Sequence, residues 1–316
     1  MSLFADVDPD NLASPSENYQ YFSIDDLNAE TFDECNLSLL NYNLRSFNTN
    51  SDSFLAFLKT LNFEFDFILL SETWNTSNTV NLCTIDNYSA FHTFRQNLRG
   101  GGVSIFCKSV YEVSKIDSLS SCTEDSEFCV VKVNYFGKPL VIIGVYRPPN
   151  AAVNDFLLQL ERLLQSPILD GCLVVVAGDF NIDITNDDSR QTNLFTSLMS
   201  SRSFCPYITK PTRFSPGNAD VTASALDHIW INAILSGTSG IIYHDLTDHC
   251  PCFVSLAYAE SPQNPKTTVI SFRPYDDEKF DKLKTRLLNT DWDHLITGNT
   301  IDEIYLNFIN PGTTLR

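Results

Sequence analysis

Short apolar runs that end on polar, chemistry-bearing residues constrain the fold of this chain more than any other feature. Residues 37–42, 65–70, 103–107, 128–135, 140–146, 173–177, 226–231 and 252–256 are rich in Val, Ile, Phe, Leu and Tyr and read as strands. Helix-period stretches lie between only some of them, at 53–61, 153–164 and 192–199, with Ser51 or Asp52 as the N-cap of the first. Several strands therefore follow one another without a crossover helix. That excludes a purely parallel wound sheet and predicts a layered α/β domain built on mixed sheets.

Composition bounds the rest. The apolar runs fall well short of the roughly 18 residues a membrane span needs, so no membrane partner is expected. No basic-then-apolar leader opens the chain, and the nine cysteines are irregularly spaced and odd in number. Both features predict an intracellular protein without a secretion signal, with reduced thiols rather than a disulfide framework. Cys250 and Cys252 flank a proline, but no second Cys/His pair is near enough in sequence to predict a zinc site.

The formal charge of −18 argues against a general nucleic-acid coat. Half of that excess lies in residues 1–34, which hold nine acidic groups and no Lys or Arg. This segment reads as an acidic, disordered leader. Residues 35–258 form the predicted catalytic domain. Residues 259–316 read as a polar linker followed by a short helical extension, with amphipathic helices at 276–288 and 301–309.

The chemistry sits at the strand ends, where layered α/β folds gather their sites. Asn41 and Asn43 close the first strand and Glu72 the second. Tyr146 ends another, Asp179 and Asn181 follow the most apolar one, Asp227 opens a late strand, and Asp248 and His249 precede the last. Glu72, Asp248 and the Asn41 amide are hard oxygen ligands suited to Mg²⁺ or Mn²⁺. Asp179 and Asn181 can activate and orient a water. His249, partnered by Asp227, can bind or protonate a phosphate oxygen, and the Tyr146 hydroxyl can donate to developing negative charge. His228 reads as structural. Arg95 and Arg99 read as solvated loop charges, and Gly100–Gly102 as a tight strand entry rather than a phosphate cradle.

Taken in order, several stretches resemble the endonuclease/exonuclease/phosphatase superfamily, in particular the apurinic-like endonuclease domain of LINE-type non-LTR retrotransposons. They are Leu40-Asn41-Tyr42-Asn43, Leu70-Ser71-Glu72-Thr73-Trp74, Gly144-Val145-Tyr146-Arg147-Pro148-Pro149-Asn150, Gly178-Asp179-Phe180-Asn181, Lys210-Pro211-Thr212-Arg213, Leu226-Asp227-His228-Ile229 and Thr247-Asp248-His249. The resemblance implies a four-layer sandwich of two mixed β-sheets flanked by helices. It implies a metal held by Asn41, Glu72 and Asp248, and catalysis by Asp179, Asn181, Asp227, His249 and Tyr146. Asn43, Asn150 and Thr212 fall at substrate-backbone positions.

The activity it implies is metal-dependent DNA nicking that leaves a 3′-hydroxyl to prime reverse transcription. The protein would act as a monomer in the nucleus and derive from a fusion truncated before its polymerase. Two departures stand out: Leu44-Arg45 follows Asn43 where a glycine is usual, and Thr247 replaces a serine. Phospholipid, inositol phosphate or RNA hydrolysis would use the same residues, and an inactive copy would serve as a binding module.

Overall fold

The computed structural model describes residues 21–32, 36–96, 100–216 and 221–258, together with 284, 285, 288 and 289. Two compact units divide the chain, Met1–Glu260 and Ser261–Arg316. The expected helices at 276–288 and 301–309 fall in the second unit and, apart from those four residues, outside the described ones.

In chain order the strands are β1 (Tyr21–Phe22), β2 (Asn36–Asn43), β3 (Phe67–Ser71), β4 (Tyr88–Thr93), β5 (Val103–Lys108), β6 (Glu112–Lys115), β7 (Ser121–Cys122), β8 (Glu127–Tyr135) and β9 (Lys138–Tyr146). They continue as β10 (Leu173–Asp179), β11 (Cys205–Pro206), β12 (Arg213–Pro216), β13 (Val221–Ser224), β14 (Asp227–Ile231), β15 (Gly237–Ile242) and β16 (Cys252–Ala257). The α-helices are α1 (Ile24–Ala29), α2 (Phe47–Thr60), α3 (Val153–Leu164) and α4 (Arg190–Ser201).

Two mixed seven-stranded sheets result. The first runs β1-β15-β16-β2-β3-β5-β4, and the second β11-β14-β10-β9-β8-β6 with β7 also on β8. β12 and β13 form a separate hairpin.

The period-two pattern of the sequence explains the layering. Leu37 and Leu39 of β2, Val175 and Ala177 of β10, and Ile229 and Ile231 of β14 all face the space between the sheets and are buried there. Gly144 lies in this layer because any Cβ would come within 2.6 Å of Val103 Cγ1 on the facing sheet. Alternate residues face outward. Tyr42, Ile68 and Phe106 pack beneath Phe54 and Phe57 of α2 and Leu27 of α1. Val141, Val174 and Val176 pack beneath Phe156 and Leu160 of α3 and Phe195 and Met199 of α4. Each such buried apolar side chain contributes roughly 1.5–3 kcal/mol. The four layers are therefore helix, sheet, sheet, helix. No helix among the described residues is long and apolar enough to cross a membrane.

Two boundaries differ from the sequence reading. The segment 1–34 is not uniformly unstructured, since β1 and α1 fall within it. Tyr21 and Phe22 pair in parallel with Ile241 and Ile242 at the sheet edge, and the Tyr21 ring stacks on Tyr243 with centroids 5.2 Å apart. A Ser23–Asp26 capping box then starts α1. Local acidity is outweighed here by three apolar side chains that find a sheet edge and a helix face. Helix α2 also begins earlier than expected, because Ser46 rather than Ser51 or Asp52 caps it, accepting from the Thr49 amide at 3.3 Å.

Just before β3, a whole strand away from Glu72, Asp66 ties the far end of the sandwich together. Its carboxylate accepts from Ser38 Oγ and Tyr135 OH (both 2.8 Å), Tyr111 OH (2.8 Å) and Lys108 Nζ (3.1 Å). Asp66→Ala deprives these donors of one shared buried acceptor. It is expected to cost about 3–5 kcal/mol, read as a lower midpoint in urea, while the variant that remains folded keeps its activity.

Candidate active site

Strand register builds the site before any side-chain detail enters. Glu127 of β8 lies opposite Tyr146 of β9, Tyr146 opposite Asp179 of β10, and Asp179 opposite Asp227 of β14. Residues directly opposite one another share a face. These four polar side chains therefore form one row across the second sheet, on its inner face, just beyond the last apolar layer. On the facing sheet Asn43 ends β2 opposite Ser71, and Glu72 follows at once.

The two rims meet at Asn43. Its Nδ2 donates to Glu72 Oε1 at 3.0 Å and to Asp179 Oδ2 at 2.8 Å. Trp74 Nε1 donates to the other Glu72 oxygen at 3.2 Å. Asn181 holds Asp179 twice, through its amide N–H to Oδ1 (2.9 Å) and its Nδ2 to Oδ2 (3.2 Å). Arg147 in turn holds the turn on which Asn181 sits. Its buried guanidinium donates to the Phe180, Asn181 and Ala151 carbonyls at 2.7, 2.6 and 2.7 Å. His249 Nδ1 lies 2.8 Å from Asp227 Oδ2, and the Thr212 hydroxyl donates to the same oxygen at 2.7 Å. Backbone strain concentrates here: Arg45, Ser46, Glu72, Trp74 and Asn181 all have positive φ, between 46° and 88°.

Burial sets the electrostatics. Asp179 is raised to about 7, first by burial and then by the charge of Asp227, with His249 opposing. Burial pulls His249 down, but the charge and hydrogen bond of Asp227 outweigh it and raise the imidazole to about 9. Asp248 is only partly buried, and burial there is overcome by Arg213, His249 and Arg45, which hold its carboxyl below the usual range. Burial pushes the Tyr146 hydroxyl up, with Glu72 and Asp179 adding to it.

The expected residues separate into those brought together and those placed elsewhere. Glu72, Asp179, Asn181, Asp227 and His249 converge, and Tyr146 joins them by register. Asn41, expected at the metal, lies one pleat deeper. It is fully buried and donates to the Gly178 carbonyl at 3.4 Å, its Oδ1 has no hydrogen-bond partner among the described residues, and Asn43 is the asparagine that donates to Glu72. The physical reason is that both asparagines share a face of β2, and only the sheet register fixes which one reaches the rim. Thr212, expected to touch substrate, is buried with its hydroxyl committed to Asp227. Its oxygen also accepts the Leu226 and Asp227 amides, so it positions that carboxylate. Asn150 is exposed in the turn after β9. Asp248, expected as a metal ligand, is held by Arg45 (2.9 Å) and Arg213 (2.8 Å).

Sequence reasoning missed Glu127 and misread Arg95. Glu127 is buried and accepts from Arg95 Nε at 2.6 Å and from the Gly102 amide. Arg95 is thus an ion-paired group of the site wall. Gly100–Gly102 do enter β5 tightly, and at Gly101, with φ +71°, a Cβ would collide with the Glu127 carboxylate. The position of Glu127 opposite Tyr146 carries the signal, and that needs the pairing. His228 is buried, stacked on Phe180 at 4.8 Å with an interplanar angle of 17°.

The ligand atoms of Asp179, Asp227 and His249 lie within 4.8 Å of one another, a cluster that could hold a metal ion. The Glu72 and Asp179 carboxylates, which both accept from Asn43 Nδ2, supply hard oxygen donors of the kind a divalent cation requires, and the buried Asn41 Oδ1 has no hydrogen-bond partner among the described residues. His249, protonated against Asp227, is better suited to bear charge than to ligate.

Fold and site together define a hydrolase of phosphate esters. The sequence matches the Endonuclease/Exonuclease/phosphatase family over residues 40–249, and the chain belongs to that family. Members of this family are typically divalent-metal dependent. No curated protein matches the sequence.

Among solved structures, the endonuclease domain of TRAS1, a telomere-specific non-LTR retrotransposon, superposes with a TM-score of 0.54 at 14% identity, covering 71% of this chain and 99% of that one. A 3′ phosphatase from Neisseria bound to a product DNA hairpin gives 0.54 at 15%, covering 70% and 99%. The catalytic domain of Xenopus laevis APE2 gives 0.53 at 16%, covering 70% and 91%. At these identities the likeness is one of fold.

Proposed function

We propose that this chain is a divalent-metal-dependent phosphodiesterase that nicks DNA, of the kind non-LTR retrotransposons use to start integration. One observation carries the reading: a buried Asp179, poised near neutrality, faces an imidazole held charged by Asp227. Asp179 takes the proton of a water that Asn181 helps to orient. The water oxygen joins phosphorus as the bond to the 3′ oxygen breaks, and the departing oxyanion takes a proton from solvent, leaving a 3′-hydroxyl and a 5′-phosphate. His249 and the Tyr146 hydroxyl face the charge that builds on the phosphate oxygens. Mg²⁺, or Mn²⁺, would be held at Glu72 with Asn43 beside it, and when bound it polarises the phosphoryl group.

The ordered motifs around Tyr146-Arg147-Pro148-Pro149-Asn150 and Lys210-Pro211-Thr212-Arg213 support a retrotransposon-type DNA substrate over lipid or inositol phosphates. The fold itself is shared equally by the TRAS1 endonuclease domain and a 3′ phosphatase, so the choice of substrate rests on those motifs. The nucleus is then the site of action, and a single chain holds all the residues named.

Supercoiled plasmid incubated with Mg²⁺ is expected to relax to the nicked circle, and to stay supercoiled in EDTA. Folded protein that leaves the plasmid intact in Mg²⁺ and in Mn²⁺ would sink the nuclease reading and turn the search to smaller phosphoesters.

A further inference from the structure

The arginines of the site fall into two kinds. Arg147 is buried with its three ends on carbonyls, and Arg95 is mostly covered and tied to Glu127. Arg45 and Arg213 differ. Their side chains are 43% and 32% exposed, yet both are fixed to one carboxylate, that of Asp248. Arg45 approaches through Nη1 and Nη2 (2.9 and 3.0 Å) and Arg213 through Nε (2.8 Å). The terminal nitrogens of Arg213 have no hydrogen-bond partner among the described residues.

Three elements distant in sequence converge to make this arrangement: the turn after β2, the start of β12 and the residue before His249. Arg45 holds a backbone φ of 46°, where a glycine would sit without strain. A side chain kept in a strained backbone position, with its charged end shared on an anchor, is oriented rather than loose.

We infer that Asp248 is a positioning residue for a two-arginine clamp. Arg45 and Arg213 grip a backbone phosphate of DNA next to the one that is cleaved. A guanidinium that keeps one edge on a carboxylate and offers another to solvent holds a phosphate oxygen in a fixed direction. Arg45 and Arg213 are partly exposed where Asp179, Asp227 and His249 are buried, which places the clamp to hold a further phosphate of a longer ligand. That selects a polymeric phosphodiester over a phosphate monoester. In a chain of charge −18, two partly exposed guanidiniums that share a single carboxylate leave a net positive charge at the rim, where a polyanion would make its contact. The inference rests on the phosphodiesterase reading for the identity of the reacting phosphate, while the binding itself is measured without metal.

A fluorescent DNA duplex is titrated in EDTA, at several salt concentrations, with the native chain, Arg45→Gly, Arg213→Gln and the double variant. Each single change is expected to weaken binding about five- to tenfold. Each should also make the plot of log affinity against log salt shallower by about 0.9. Arg45→Gly should hold or raise Tm, because it relieves the left-handed backbone. Should Arg213→Gln prove unstable, Arg213→Lys is expected to keep the salt slope while losing affinity with the fork.

In Mg²⁺, the ratio of kcat/KM for the duplex to that for bis(4-nitrophenyl) phosphate should fall at least tenfold in the double variant, through KM. A double variant with native Tm and an unchanged salt slope would overturn the clamp, as would no measurable duplex binding by the native chain. Altered slopes with no hydrolysis of either substrate by the native chain would support the clamp and remove the phosphodiesterase reading instead.

Discussion

Asp179→Asn is expected to lower DNA cleavage by about 10²–10⁴-fold, the usual contribution of a positioned general base. The variant keeps the volume of the side chain and an oxygen for the Asn181 amide, which now sits 2.9 Å from Oδ1. It loses the ability to accept a proton. In the native chain, with Asp179 raised to about 7 by burial and by Asp227, the rate should climb as pH rises through that value. The residual rate of Asp179→Asn should lack this rise.

The same substitution has a signature in stability. A carboxyl raised on folding binds its proton more tightly in the native state, so its ionisation opposes folding. The native chain therefore loses stability as pH rises from the ordinary aspartate range through about 7. Asparagine does not titrate. The Tm of Asp179→Asn minus that of the native chain, measured in EDTA, should grow more positive between pH 5 and pH 8. His249 is retained in both proteins. Its raised pKa stabilises the fold below about 6.5, an effect lost as pH passes through about 9; because the Asp179 charge is one of the causes that raise it, the part of the comparison below about pH 6.5 isolates Asp179. A difference in Tm that stays flat across the range would mean that Asp179 is not held protonated by its surroundings, and the base assignment would lose its main support.

Arg147→Ala is expected to be the most damaging substitution at a residue with no contact to the reacting atoms. It removes donors from the Phe180, Asn181 and Ala151 carbonyls together. With several carbonyls left without their charged donor, the loss should be roughly 3–5 kcal/mol. The functional effect should go beyond lost stability. Asn181 has φ 48° and carries two of the contacts that orient Asp179, and that turn is pinned by Arg147 from below. At a temperature where the variant is folded, kcat should fall about 10–100-fold with KM little changed. Arg147→Lys, which reaches fewer carbonyls, should lie between the two. Full kcat in folded Arg147→Ala would show that the β9–β10–β14 register alone suffices to hold the Asp179 turn.

The strands and the face they bury were legible because alternation is a local property. In β2 and β10, Leu37, Leu39, Val175 and Ala177 mark the inner face without any knowledge of their neighbours. The same alternation carries on to Asn43 and Asp179, which is why site candidates could be picked from strand ends. Edge elements were less legible. β4 is only partly buried along nearly its whole length, and β15 is exposed or partly so over its first half, so neither shows clean alternation. β1 and α1 were masked by an acidic composition that their few buried side chains outweigh.

Local chemistry in the chain determined the residue types at the site: a carboxylate and amide for water, an Asp–His pair for phosphate charge, and a glutamate with hard oxygen character. It also pointed to a layered domain on mixed sheets, since several strands follow one another without a crossover helix, while the two-sheet sandwich came from the family resemblance. Tertiary structure alone decided depth and partnership. Asn41 and Asn43 are equivalent on a single strand, and only the assembled sheets set Asn43 against Glu72 and Asp179 and Asn41 deeper, against the Gly178 carbonyl. Glu127 looks like a surface acid until pairing sets it beside Tyr146. Asp248 reads as a metal ligand on its own, and only the fold brings Arg45 and Arg213, from distant parts of the chain, onto its carboxylate. Such contacts are set by how sheets align and loops fold back, over sequence separations as large as 203 residues, and no local pattern encodes them.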